Sequence, residues 1–131
     1  MSEKTGADLK RENALIKSFG YAAQGVRFAS SERNFKVDCL AAAAALLLCV
    51  LLQVPAWGFV AVVMCVGVQL AFETLNTAVE AVVDLASPDI HPLAKRAKDC
   101  AAGAALITAC MSVIVGLAVY VPAALRLFGI A

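Results

Sequence analysis

Four polar residues, Glu73, Asn76, Glu80 and Asp84, interrupt an otherwise apolar stretch of this chain. In a helix turning about 100° per residue they lie at about 0°, 300°, 340° and 20°, inside roughly 80° of arc. Three carboxylates and a carboxamide would therefore line one edge of a single helix. An ionisable group inside a membrane costs roughly 2.5 kcal/mol or more and is a pointer to function. A solvated helix end accounts for Asp84. It does not account for Glu73, which follows seventeen residues of almost unbroken apolar sequence. Clustered acids suit a hard divalent cation, because Mg²⁺ takes oxygen ligands and usually bridges to phosphates. A carboxylate held among other acids also suits a general base.

The elements that must position these residues are membrane helices. Of the 131 residues, 62% are hydrophobic and 16% charged, where a soluble domain usually carries about 45–50% and about 25%. With a mean hydropathy of +0.83, a soluble globular protein is excluded. Three membrane helices of roughly 20 residues each use about 60 residues. Too little remains for a separate soluble catalytic domain, so any chemistry must use the membrane helices themselves. The net charge of +1 is no electrostatic footprint for nucleic acid.

The sequence reads as an all-α integral membrane protein, one membrane domain over residues 1–131. Residues 1–12 are polar. In 13–30 the apolar positions Leu15, Ile16, Phe19, Ala22, Ala23 and Val26 draw one helical stripe, with Lys17, Gln24 and Arg27 largely off it. A basic amphipathic helix of this kind lies in the membrane interface or packs on other helices of the same protein. Transmembrane spans follow at 35–54, 56–85 and 99–121. Pro55 marks a tight turn, Ser87-Pro88 ends the second span, residues 89–98 form a charged connection, and Pro122 closes the third span.

Orientation follows from the basic residues. Seven of eleven precede residue 37, and three more are Lys95, Arg96 and Lys98. The positive-inside rule places both groups on the cytoplasmic side. Counting from Ala56, Glu73 lies about 26 Å along the second helix and Asp84 about 42 Å, against a hydrocarbon core about 30 Å thick. Glu73 thus falls near the inner boundary of the core, with Glu80 and Asp84 in the headgroup region. Glu32 and Asp38, at the start of the first span, and Lys98 and Asp99, at the start of the third, reach the same level. Acids, an amide, a lysine and an interfacial helix fit phosphoryl transfer to a lipid headgroup.

Other signals are plain. Cys39, Cys49, Cys65, Cys100 and Cys110 sit in or beside apolar runs without CxxC or zinc spacing, and read as small packing residues. The first 38 residues lack the apolar core of a signal peptide. No Walker-type phosphate loop, GxGxxG or HRD-type catalytic loop is present. His91, between Ile90 and Pro92, reads as a turn residue.

At these residues the chain resembles the prokaryotic diacylglycerol kinase family of small membrane lipid kinases. The segment from Glu73 to Asp84 is similar to the family signature ExLN(S/T)A(I/V)ExxVD, and residues 94–103, AKRAKDCAAG, resemble its second conserved block. Residues 15–35, LIKSFGYAAQGVRFASSERNF, are also similar, so the resemblance covers about 13–122. It implies an ATP-dependent lipid kinase in the bacterial inner membrane, with Glu73 as general base toward the lipid hydroxyl. It further implies Asn76 orienting ATP or lipid, and Glu80 and Glu32 holding Mg²⁺ with the ATP phosphates. Asp84 and Asp99 would support the nucleotide, Lys98 would contact phosphate, and Glu73, Asn76, Lys98 and Asp38 would adjoin the lipid substrate. The family pattern is a homotrimer with sites shared between subunits. The SPDIHPLAKRAKD and SERNF segments look more like the undecaprenol-kinase branch, whereas Asp38 matches an acidic position of the diacylglycerol-kinase branch. An arginine described on the surface helix of that branch has no firm match, Arg11 lying near it.

The competing reading is a small oligomeric cation conductor or transport subunit using the same acids as a pathway. Such a pathway needs polar groups through the whole membrane depth. Here the outer half of each span is almost purely apolar, with Gln53 and Gln69 as exceptions. That asymmetry favours an interfacial enzyme with a lipid substrate, either undecaprenol or diacylglycerol.

Overall fold

The computed structural model describes residues 6–87 and 89–130, with side chains from Ala14 onward. Lys4, Lys10 and Arg11, from the basic N-terminal group, lie outside the described side chains. The described residues form four helices, α1 (Gly6–Ala29), α2 (Arg33–Leu51), α3 (Ala56–Ala86) and α4 (Pro92–Leu127), without a strand. The last three are long and apolar enough to cross a membrane. At 1.5 Å per residue they measure about 28, 46 and 54 Å, against a core about 30 Å thick. α3 and α4 must therefore project beyond the apolar layer. Their projections toward the α3–α4 connection carry Glu80, Asp84, Lys95 and Lys98.

α3 and α4 run antiparallel as the principal pair. Three contacts fix their register: Lys98 to Asp84, Thr108 to Gln69, and Val119 against Gly58. A Cβ at Gly58 would stand 2.7 Å from Val54 Cγ1 and 3.0 Å from Val119 Cγ1, so the glycine permits this close approach. α2 packs antiparallel on α3 and touches α4 only lightly. The apolar core lies at the α2–α3 turn end, where Cys49, Val62 and Val119 are buried among Ala45, Leu46, Val54, Val115 and Tyr120. There the Tyr120 hydroxyl donates to the Ala45 carbonyl at 3.0 Å.

The helix ends depart from the sequence-based expectation in three places. α4 begins at Pro92, so most of the charged connection is helix. His91 caps it: Nδ1 accepts from the Leu93 N–H at 3.2 Å, and Pro92 occupies the first helical position. α4 also continues through Pro122 to Leu127. Ending the helix there would strand several backbone groups in apolar surroundings, whereas Pro122 forfeits one N–H. α1 is longer than 13–30 at its start, and its apolar stripe is not covered by the other helices. Leu15, Ile16, Phe19 and Val26 are 51–76% exposed, and among the described side chains the first buried one is Ala29.

Two helices end in the same backbone device. After α2, Val54 N–H reaches Cys49 O at 2.9 Å and Gln53 N–H reaches Val50 O at 3.2 Å. After α4, Ile130 N–H reaches Leu125 O at 2.9 Å and Gly129 N–H reaches Arg126 O at 3.2 Å. Both are Schellman caps, which need a left-handed residue after the cap. Gly129 meets that need at φ 68°, but Gln53 meets it at φ 50° with a Cβ in the way. Gln53→Gly should stabilise the fold by about 0.5–1 kcal/mol, and Gly129→Ala should destabilise it by a similar amount. Thermal unfolding in detergent, followed by helical circular dichroism, measures both. A lower midpoint for Gln53→Gly would contradict the cap.

Candidate active site

The site is built where the α1–α2 junction folds against α3. Ser30, Ser31 and Glu32 form a hydrogen-bonded turn, with Glu32 N–H reaching Ala29 O at 3.0 Å. Ala29 and Phe35 on either side are buried and anchor it. Glu32 occupies the N-cap position of α2, yet its side chain makes no capping hydrogen bond. Lys36 Nζ donates to Ser31 O at 2.6 Å and closes the turn from the outside.

Opposite this turn, Glu73 is only 4% exposed. Asn34 and Asp38 of α2, Glu80 of α3 and Glu32 are the polar side chains around its carboxyl group. Asn76, one turn further along α3, is 5% exposed. Its Nδ2 donates to Glu80 Oε1 at 3.3 Å, while Oδ1 finds no hydrogen-bond partner among the described residues. A buried orphan acceptor carries a free-energy penalty of about 1–3 kcal/mol. It suits a site completed by a hydrogen-bond donor from outside the chain. The hydroxyls of Thr74 and Thr77 turn back to the backbone at Leu70 and Glu73 and leave the acidic edge clear.

A second polar unit joins the three spans. Gln69 Nε2 donates to Asp38 Oδ2 at 2.9 Å, and the buried Thr108 hydroxyl donates to Gln69 Oε1 at 2.5 Å. The relay runs from α2 through α3 to α4 and holds Asp38 beside Glu73. Asn34, Gln69 and Thr108 are not among the residues selected from the sequence. Gln69 could have been: four residues before Glu73, it falls at about 320°, inside the arc of the acidic edge. Asn34 stands one helical turn before Asp38. Thr108 carries no local signal, because only the α3–α4 register brings it to Gln69.

The remaining selected residues divide into two ion pairs. Lys98 of α4 reaches across to Asp84 of α3. Asp99 pairs instead with Lys95 on its own helix, both exposed. The fold thus gathers Glu32, Asp38, Glu73, Asn76 and Glu80, sets Lys98–Asp84 as a bridge between the ends of α3 and α4, and places Asp99 in a separate exposed pair. Among the described residues no three Asp, Glu, His or Cys side chains converge tightly enough to hold a metal ion alone. The donor set is nevertheless the right kind for Mg²⁺. That ion commonly takes one or two carboxylates and fills its shell with water and substrate phosphates. Glu80, with one oxygen engaged by Asn76, and Glu32, which makes no capping hydrogen bond, fit such a role.

The chain matches known proteins over most of its length. The family model described as prokaryotic diacylglycerol kinase matches residues 20–120. An undecaprenol kinase of Bacillus subtilis (strain 168) is 40% identical over 111 residues, 84% of this chain and 90% of that protein. A diacylglycerol kinase of Synechocystis is 40% identical over 115 residues, 86% of this chain and 66% of that protein. A diacylglycerol kinase of Escherichia coli (strain K12) is 36% identical over 101 residues, 76% of this chain and 83% of that protein.

The relay makes a measurable claim. A double-mutant cycle of Gln69→Leu and Thr108→Val, read by unfolding in detergent micelles, should give a coupling of about 0.6 kcal/mol, and not above about 1.7 kcal/mol. Strictly additive losses would mean that the two side chains do not act as a pair.

Proposed function

We propose, for a chain that belongs to the prokaryotic diacylglycerol kinase family and is a lipid kinase, that it moves the γ-phosphate of ATP to the hydroxyl of a membrane lipid alcohol. The acceptor is undecaprenol or a diacylglycerol. The reaction takes place at the cytoplasmic face of a bacterial inner membrane. The observation that carries the proposal is Glu73, a carboxyl group nearly closed off from water on an apolar helix and edged by polar side chains from the start of α2 and the turn before it. An alcohol is a poor nucleophile until its proton is taken up, and a group positioned for this contributes about 10²–10⁴-fold in rate.

In this reading the lipid hydroxyl stands at Glu73. Its oxygen forms a bond to the γ-phosphorus as the bond from that phosphorus to the β–γ bridging oxygen breaks, and ADP departs with that electron pair. The hydroxyl proton passes to the Glu73 carboxylate. Asn76, its Nδ2 held by Glu80, offers Oδ1 to orient the hydroxyl or the nucleotide. Asp38 borders the lipid. Lys98 contacts the phosphates, positioned by Asp84, and Asp99 supports the nucleotide from the outer flank. Glu80 and Glu32 hold Mg²⁺ with the phosphates, and the ion supplies neutralisation of the charge on the transferring group. A divalent cation accompanying the phosphates would offset the negative charge of the acidic edge.

Ten of the eleven basic residues fall at the N-terminal segment and the start of α4, which supports placing that end on the cytoplasmic side. The large apolar residues left exposed on every span, and the separation of Asp99 from the rest of the acids, support a homotrimer whose neighbouring copies complete the site. Membership of a kinase family sets aside the cation-conductor reading.

Two variants test these roles. Glu73→Gln should lower phosphate transfer by at least about 100-fold, with helix content and oligomeric state retained; near-normal turnover would remove Glu73 as the base. Glu80→Ala should raise the Mg²⁺ concentration needed for half-maximal rate, and an unshifted Mg²⁺ titration would exclude Glu80 as a ligand.

A further inference from the structure

Helix α4 starts beyond the apolar layer, and its start rests on one residue. Of the three helix starts whose caps are described, those of α2 and α3 have no side-chain cap, whereas His91 caps α4. His91 holds the first turn twice. Its Nδ1 accepts from the Leu93 N–H at 3.2 Å, and its carbonyl oxygen accepts from the Lys95 N–H at 3.1 Å. Pro92 between them has no N–H to offer. Little else secures this turn. Ile90 and Leu93 are exposed, and the first turn carries no acidic residue to answer the positive end of the helix dipole. The Ser87 hydroxyl is directed to Asp89 O at 3.1 Å, within the connection. Over residues 91–99 only Ala94 and Lys98 are as much as half-buried. Four residues apart, they share one helical face. It is the face α4 turns to α3, where Lys98 meets Asp84.

The cap depends on charge. Nδ1 accepts a hydrogen bond only in the neutral ring with its proton on Nε2, because an imidazolium donates from both nitrogens. A positive ring here would also oppose the positive end of the helix dipole. Histidine is the side chain that ordinarily changes charge between about pH 5 and pH 8. The charged groups on the elements that meet here are Asp89 in the connection, Glu80 and Asp84 on α3, and Lys95, Arg96, Lys98 and Asp99 on α4. Asp84 and Asp99 are already paired with Lys98 and Lys95. The neutral ring belongs to the capped helix, so the cap is present at neutral and alkaline pH and is lost as pH falls.

We propose that His91 is a positioning residue for Lys98 whose charge sets how well the nucleotide is held. The neutral ring fixes the first turn of α4 and keeps Lys98 directed to the phosphates. Proton uptake at Nδ1 breaks the hydrogen bond from Leu93 N–H, the turn from Pro92 to Lys95 loosens, and the face carrying Ala94 and Lys98 loses its seat on α3. The inference rests on the lipid-kinase reading with Lys98 on phosphate, and it adds a pH-dependent control of nucleotide binding from a residue that touches no substrate.

The test uses the full chain in mixed micelles with Mg-ATP, and a polyprenol or a short-chain diacylglycerol as acceptor, at about pH 8 and about pH 6. His91→Asn keeps a side-chain cap that does not titrate. The wild-type KM for Mg-ATP should equal that of His91→Asn at the higher pH and exceed it about fivefold at the lower. Groups titrating elsewhere, the ATP phosphates included, cancel in this ratio. His91→Ala should show the raised KM for Mg-ATP at both pH values, with the KM for the lipid unmoved. Amide hydrogen exchange gives a readout apart from turnover: Leu93 and Lys95 should exchange faster in His91→Ala than in His91→Asn at either pH. A wild-type to His91→Asn ratio that does not move with pH overturns the control. Equal rises in both KM values in His91→Ala overturn the positioning of Lys98, and unchanged exchange there overturns the cap. Phosphate transfer by none of the proteins to either acceptor removes the kinase reading itself, and the exchange measurement then decides the cap alone.

Discussion

A carboxyl group withdrawn from water on an apolar helix must be answered by other polar groups, and the rest of this architecture follows from how Glu73 is answered. Within the apolar layer, water cannot supply the missing partners. The start of α2 and the end of α1 therefore fold over α3 and bring Asn34, Asp38 and Glu32 to it. Glu80 and Asn76 come from the same helix at one-turn spacing. Among the described residues the arrangement remains rich in acceptors, and Asn76 Oδ1 is left over. Such an imbalance is costly in an empty protein. Under the proposed function, a lipid hydroxyl and a cation brought with the phosphates would offset it.

This requirement divides the bundle along its length. At the α2–α3 turn end, Cys49, Val62 and Val119 pack closely, Gly58 lets α4 approach, and Tyr120 ties α4 to α2. A slot between the helices starts beside this core, and toward the other end its lining and the contacts become polar. The Asp38–Gln69–Thr108 relay sits at the transition. Interhelical hydrogen bonds in membranes contribute modestly, about 0.6 kcal/mol on average. The value of the relay lies in placement: it fixes Asp38 against both Glu73 and the slot. The Lys98–Asp84 pair is similarly a matter of position, because surface pairs contribute only about 0–1 kcal/mol.

The charged groups gather where α3 and α4 meet their connection. A soluble phosphate donor and a lipid acceptor meet only where the apolar layer ends. α3 and α4 outreach that layer, and their projecting turns supply the charged groups. α1, with its apolar stripe uncovered, provides a flat amphipathic element at the same level.

Much of this was legible in the sequence because it depends on local spacing. The one-sided polar edge from Glu73 to Asp84 follows from helical periodicity alone. Composition implied three membrane helices, and the motif between Glu73 and Gly103 pointed to the family before any contact was known. Helix ends were less legible: the extension of α4 to Pro92 and past Pro122 depends on a histidine cap and on the cost of unpaired backbone in apolar surroundings. Gln69 was half-visible, since its angle matched the acidic edge while its partners did not show. Thr108 as a partner of Gln69, Lys98 as a partner of Asp84 rather than Asp99, the orphaned Oδ1 of Asn76 and the slot beneath Asp38 were decided only by the tertiary structure. Each depends on the register between two helices. A shift of one residue there rotates a side chain by about 100°, and no local pattern records which register packing selects.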